Sequence, residues 1–154
     1  MKTYTFEMEQ WLPRPREEVF AFFADARNLE LLTPPWLRFE LLTSGPLELA
    51  VGALIDYRLR LHGVPIAWCS VVTVWEPPAR FVDEQRRGPY RRWTHEHAFV
   101  ERDGGTVVRD RVEYAVPGGD LIQKLLVAPD LEKIFAYRQH RLQEIFGGDR
   151  GDPR

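Results

Sequence analysis

The chain has 154 residues, 44% of them hydrophobic and 29% charged, with a formal net charge of −2. This is the make-up of one globular domain with a single core, and the charge balance predicts no affinity for nucleic acid. One cysteine excludes an intramolecular disulfide, and without an apolar run of signal-peptide or membrane-spanning length the expectation is a cytoplasmic protein with no stable membrane insertion.

Alternation over residues 2–11, with Tyr4, Phe6 and Met8 on one side, predicts a first strand. Pro13 and Pro15 end it. Pro15-Arg16-Glu17-Glu18 then opens a helix, since proline and acids both suit a first turn, and Val19, Phe20, Phe22 and Phe23 give it an aromatic side. A second short helix over residues 27–32 stops before Thr33-Pro34-Pro35, because each proline disfavours helical geometry at the residue before it. Strands are predicted over residues 38–43, 53–61 and 66–75, the second with Ile55, Tyr57, Leu59 and Leu61 inward, turned at His62-Gly63 and Pro77-Pro78. Three more strands occupy residues 81–116. After Pro117-Gly118-Gly119 the period becomes helical. Leu121, Ile122, Leu125 and Leu126 make one stripe, and Leu131, Ile134, Phe135, Leu142, Ile145 and Phe146 continue it past a kink or break at Pro129. Residues 148–154 lack apolar anchors and are expected to be a disordered tail, which leaves 1–147 as a single domain.

The chemistry concentrates between Phe81 and Gly118. Successive strand residues face opposite sides, so Trp93, His95, His97 and Phe99 share a face, and the two aromatics mark it as buried. Asp103-Gly104-Gly105 is a hairpin signal. Pairing Glu101 with Thr106 across it sets His97 opposite Asp110 and Trp93 opposite Tyr114. A further turn at Arg87-Gly88-Pro89 puts Phe81, Asp83 and Gln85 on that same face. Asp83, Gln85, His95, His97 and Asp110 thus converge inside one sheet, with Tyr57 and Tyr114 nearby. A dry core would leave such groups unpaired at a cost of several kcal/mol, so a cavity holding water or ligand is the cheaper arrangement.

The element order of one strand, two short helices, a six-stranded antiparallel run and a long C-terminal helix resembles the helix-grip fold of the START-like (SRPBCC) superfamily. The run from Pro15 to Phe23 with Asn28-Leu29 and Thr33-Pro34-Pro35 is similar to the opening of bacterial ligand-binding or polyketide cyclase/dehydrase-like members. Phe81-Val82-Asp83-Glu84-Gln85, Gly88-Pro89-Tyr90, Trp93, His95, His97 and Asp110 resemble an uncharacterised subgroup of them. The resemblance implies an α+β fold, a curved antiparallel sheet of about seven strands wrapped on the C-terminal helix, with a ligand cavity between them. It implies neither metal nor cofactor.

Within that frame the expected ligand-binding residues are Tyr57, Asp83, Gln85, Trp93, His95, His97, Asp110, Tyr114 and Arg138. Phe22, Phe23, Leu59 and Ile134 would supply apolar wall, and residues 31–36 an entrance lip. The leading expectation is binding of a small hydrophobic or amphipathic molecule. The alternative is a cyclase, dehydratase or hydrolase in which Asp110 orients His97 as acid or base. Two histidines at i and i+2 also admit a metal reading, which ranks below both, and no metal is expected. Arg138, on the helical packing stripe, either clamps an anion or pairs with Asp83 or Asp110. The arginines at 58, 60, 92, 109 and 111 fall on outward positions among acids, as on a solvated sheet face. Oligomeric state is not legible.

Overall fold

The computed structural model describes residues 2–43 and 49–147. The expected tail at 148–154 lies outside the described residues. Strand β1 (Tyr4–Leu12) leads through Pro13 and Pro15 into helix α1 (Arg16–Phe23), followed by a 3-10 turn (Ala26–Asn28) that runs into α2 (Leu29–Leu32). A second 3-10 turn (Pro35–Leu37) precedes β2 (Glu40–Leu41), β3 (Leu54–Leu61), β4 (Val64–Glu76), β5 (Arg80–Arg87), β6 (Arg92–Arg102) and β7 (Gly105–Ala115). The chain closes with α3 (Gly119–Ile122), a π-helical turn (Gln123–Val127) and α4 (Ala128–Phe146). The seven strands form one antiparallel, curved sheet in the order β1-β7-β6-β5-β4-β3-β2. The architecture is α+β helix-grip.

Turn chemistry fixes the register. Asp103 and Gly104 both have positive φ (50° and 75°), as do His62 and Gly63 (50° and 80°), the backbone of the two-residue hairpin whose twist matches its strands. Glu101 therefore pairs with Thr106, His97 with Asp110 and Trp93 with Tyr114, as the turn predicted. β6 runs without a bulge from Arg92 to Arg102 against β7, so both histidines stay inward. The bulges fall between β4 and β5, with Arg86 the extra residue on β5 opposite Cys69 and Ser70 and Thr73 the extra residue on β4 opposite Asp83 and Val82, where they bend the sheet.

Two expected elements differ. Of residues 38–43 only Glu40 and Leu41 pair as a strand, because Arg38 takes a left-handed backbone (φ 48°) at the end of the 3-10 turn. The stripe Leu121, Ile122, Leu125, Leu126 is exposed, not packed. Pro129 sits in the first turn of α4, and instead of a break the helical run continues through a π turn, whose i→i+5 bonding shifts the phase of every residue before it. Past that shift the stripe is buried at Leu131, Phe135, Arg138, Leu142 and Phe146. Of the outward arginines, Arg109 pairs with Glu9 at 2.8 Å, Arg111 with Glu113 at 3.2 Å, Arg92 with Glu113 at 3.3 Å and Arg58 with Glu40, while Arg60 donates to the Gly63 carbonyl at 3.2 Å.

Core packing divides along α4. Leu12, Val19, Phe20, Phe81, Phe99 and Leu142 form one cluster under α1. Val112, Tyr114, Leu131 and Phe135 form a second under the start of α4. The candidate site lies beside both, toward β3 to β6.

A candidate ligand cavity

A cavity of about 180 Å³ opens between the concave face of β3 to β6, α4 and the segment from Phe23 to Phe39. Its walls are Leu29, Leu32 and Leu37 on one side, Ile55, Tyr57, Leu59, Trp68 and Val72 on the strands, and Leu131, Ile134 and Phe135 on α4. Tyr57 stacks on Trp68 (5.7 Å, 16°), Trp68 meets Trp93 edge-on (5.4 Å), and Tyr90 lies 4.7 Å from Trp93. Burial pushes the Tyr57 and Tyr90 hydroxyls well above the usual phenol range, so both stay protonated.

Asp83, His95, His97 and Arg138 supply the polar end. In register, Asp83 stands opposite His95, and Asp110 opposite His97. The hydrogen bonds nevertheless run diagonally: His97 Nε2 to Asp83 Oδ2 at 2.6 Å, and His95 Nε2 to Asp110 Oδ1 at 2.8 Å. The expected His97–Asp110 pair is thus replaced by two crossed pairs, His97 Nδ1 lying 3.8 Å from Asp110. Diagonal neighbours are within reach of long side chains, and crossing lets the two imidazoles stack at 3.7 Å. Phe81 stacks on the other face of the column, 4.2 Å from His97.

Arg138 reaches in from α4. Its Nη2 donates to Asp110 Oδ1 (3.3 Å) and to His97 Nδ1 (3.4 Å), while Nε is buried without an acceptor. Burial pushes the Asp110 carboxyl up, but the Arg138 charge and the His95 hydrogen bond outweigh it and hold it well below the usual range. Asp83 is likewise pushed up by burial and pulled below its ordinary value by the His97 hydrogen bond. Burial, with His95 alongside, lowers His97 to about 4, against the pull of Asp83. The pattern assigns two carboxylates, one guanidinium and a neutral His97 that donates from Nε2 and accepts at Nδ1.

Of the residues expected to bind ligand, Tyr57, Asp83, Trp93, His95, His97 and Arg138 line the cavity, and Gln85, Asp110 and Tyr114 do not. The Gln85 amide turns back over the β5–β6 hairpin, accepting from Tyr90 N–H at 3.0 Å and donating to its carbonyl at 2.7 Å. Asp110 stands behind His95 beside Met8, Gln10, Gln139 and Leu142. Tyr114 is buried in the second cluster, its hydroxyl accepting from Gln123 at 3.0 Å. Of the expected wall, Phe23, Leu59 and Ile134 line the cavity, while Phe22 packs on Phe146 instead. The lip segment 31–36 contributes Leu32 and Thr33, with Leu31 and Trp36 exposed.

Trp68 and Ser70 are wall residues outside the expected set. Counting back from the His62-Gly63 turn puts Trp68 opposite Tyr57, so the signal was present. Cys69 faces the other side. Asp83, His95 and His97 each offer a possible metal-binding atom within 4.8 Å of the others, yet two of the three are already bonded to one another and Arg138 adjoins them.

A closed sheet-and-helix grip around an apolar cavity with a polar end defines a START-like protein. The sequence matches the family described as "Polyketide cyclase / dehydrase and lipid transport" over residues 12–142, and the chain belongs to that family. Among solved structures it is similar to the Zhui aromatase/cyclase from Streptomyces sp. R1128 (TM-score 0.71, 13% identity, 92% of each chain). It is similar also to the ginseng (Panax ginseng) major latex-like protein 151 (TM-score 0.70, 8% identity, 94% of this chain and 97% of that one). A nucleoside-diphosphate sugar epimerase from Corynebacterium glutamicum matches at 27% identity and TM-score 0.66, over 90% of this chain and 28% of that one. No curated protein matches the sequence.

Proposed function

We propose that this is a cytoplasmic, cofactor-independent protein that binds one small, mostly apolar molecule by a polar handle. The observation that carries the reading is the aromatic-walled cavity of about 180 Å³ with Asp83, His95, His97 and Arg138 gathered at one end. A few convergent polar groups in an apolar concavity are the usual form of a small-molecule site. A dry engineered cavity of about 150 Å³ accepts benzene, so the space suits a molecule built on one ring. Native mass spectrometry of the freshly purified protein, set beside its denatured mass, tests this. A discrete organic adduct is the expected result. An apo mass, together with no thermal shift from a panel of one-ring compounds, overturns the reading.

The enzymatic alternative shifts to a different histidine. His97 has both ring nitrogens engaged, whereas His95 is oriented by Asp110 through Nε2, and its Nδ1 has no partner among the described residues. If the family's cyclase/dehydratase chemistry operates here, His95 is the acid or base and Asp110 a positioning residue. His95→Ala then abolishes turnover of a small carbonyl substrate while ligand binding persists. Turnover unchanged by that substitution rules the alternative out.

A further inference from the structure

The polar end of the cavity presents open acceptors. Asp83 has one oxygen bonded to His97 and the other without a partner among the described residues. His95 Nδ1 is equally unpartnered when the ring is neutral and Nε2 donates to Asp110. Arg138 Nη2 is spent on Asp110 and His97, and the Ser70 hydroxyl lies between the Trp68 indole and Tyr57. Arg138 Nε is buried without an acceptor, and Nη1 has no acceptor among the described residues. The Asp83 carboxylate, half-buried at the cavity wall, is the anionic group a cationic head would meet there. Ligating atoms of Asp83, His95 and His97 lie within 4.8 Å of one another, close enough for one small cationic head to meet more than one of them. The rings of Tyr57, Trp68, Tyr90 and Trp93 line the same cavity, and aromatic rings favour a cation placed against them.

From this we infer that the polar handle is a primary ammonium on a small one-ring body, donating to Asp83 and His95 with its ring among the cavity aromatics. The inference rests on the binding reading above and narrows it to a ligand class. A bare divalent cation would also supply charge, but it would have to break the 2.6 Å His97–Asp83 bond and sit beside Arg138. A small carboxylate could take the Arg138 N–H groups left open but would meet the repulsion of the Asp83 carboxylate at the same end of the cavity.

The test is a matched series measured by calorimetry at pH 8 on metal-free wild-type protein: 2-phenylethylamine, 2-phenylethanol, phenylacetate and Zn²⁺ alone. The amine is expected to bind about ten-fold or more tightly than the alcohol, the lower end of what a hydrogen bond to a charged group contributes. Asp83→Asn is expected to erase that preference while still binding the alcohol. Circular dichroism establishes that the variant is folded, and if it is not, the wild-type series decides alone. Equal affinity for amine and alcohol overturns the inference and leaves the cavity reading intact. Tighter phenylacetate overturns it in favour of an anion on Arg138. Zn²⁺ binding with the amine silent overturns it in favour of a metal. If no organic probe binds, the cavity reading fails and takes the inference with it.

Discussion

Removing the Arg138 guanidinium would leave Asp110 buried with His95 as its remaining close partner. Breaking a buried ion pair from one side costs about 3–5 kcal/mol, so Arg138→Met is expected to lower the urea midpoint strongly, and an unchanged midpoint would show the pair to be dispensable. The same cluster sets an acid sensitivity. Folded His97 titrates at about 4 against an ordinary 6.5, so between those pH values the unfolded chain binds more protons. Stability therefore falls as pH drops through that window, by on the order of 3 kcal/mol for this group. Asp83 and Asp110 have folded pKa values below the ordinary 3.8. Their contribution is present above the carboxylate range and is lost only below it. Urea denaturation at pH 8, 6 and 4 checks the sign: a midpoint rising toward pH 4 would contradict a neutral His97.

At the scale of elements, strand parity and turn chemistry carried most of what the sequence had to say. The Asp103-Gly104 turn placed His97 opposite Asp110 and set both histidines inward, because side-chain direction in a strand has period two. The crossed pairing was not legible. Parity says which face a side chain occupies and register says what stands opposite, but the choice between opposite and diagonal partners depends on rotamers and on the two imidazoles stacking. Gln85 was lost for a related reason: its side chain serves the hairpin beside it. An added Cβ at Gly88 would meet the Gln85 amide oxygen at 2.5 Å, so that glycine leaves room for the amide to fold back. The helical stripe failed at the π turn, since a 3.6 period cannot be carried across an inserted residue. The two parts of that stripe should differ sharply on mutation. Leu131→Ala, fully packed, is expected to cost about 2–5 kcal/mol. Leu125→Ser, 67% exposed, should stay within about 0.5 kcal/mol. Similar costs for both in thermal melts would mean that the first turns of the helical run pack elsewhere.

For the molecule as a whole, the family match and the fold fix an architecture in which the sheet grips α4 and leaves space between them. Under the proposed function, binding in that space would be linked to folding. A ligand present at about one hundred times its Kd adds roughly 2.7 kcal/mol to stability. A cavity ligand should therefore raise the melting temperature in proportion to the logarithm of its concentration, whereas a molecule adsorbed on the exposed Leu121–Leu126 surface need not. Trp68 and Trp93 line the cavity while Trp11 and Trp36 are exposed. Ligand entry should consequently alter the emission of the buried indoles and leave quenching of the exposed ones by iodide unchanged. No helix among the described residues is long and apolar enough to cross a membrane.

The column of Phe81, His97 and His95 has a further consequence, a magnetic one. With ring centroids 4.2 and 3.7 Å apart and planes inclined by 12° and 26°, the carbon-bound protons of the middle imidazole lie between two ring currents. Their resonances should stand upfield of those of the exposed His62 and His140. Because His95 also borders the cavity, a guest that tilts its ring would move those signals, making a pair of imidazole protons an internal gauge of occupancy that needs no label on the ligand.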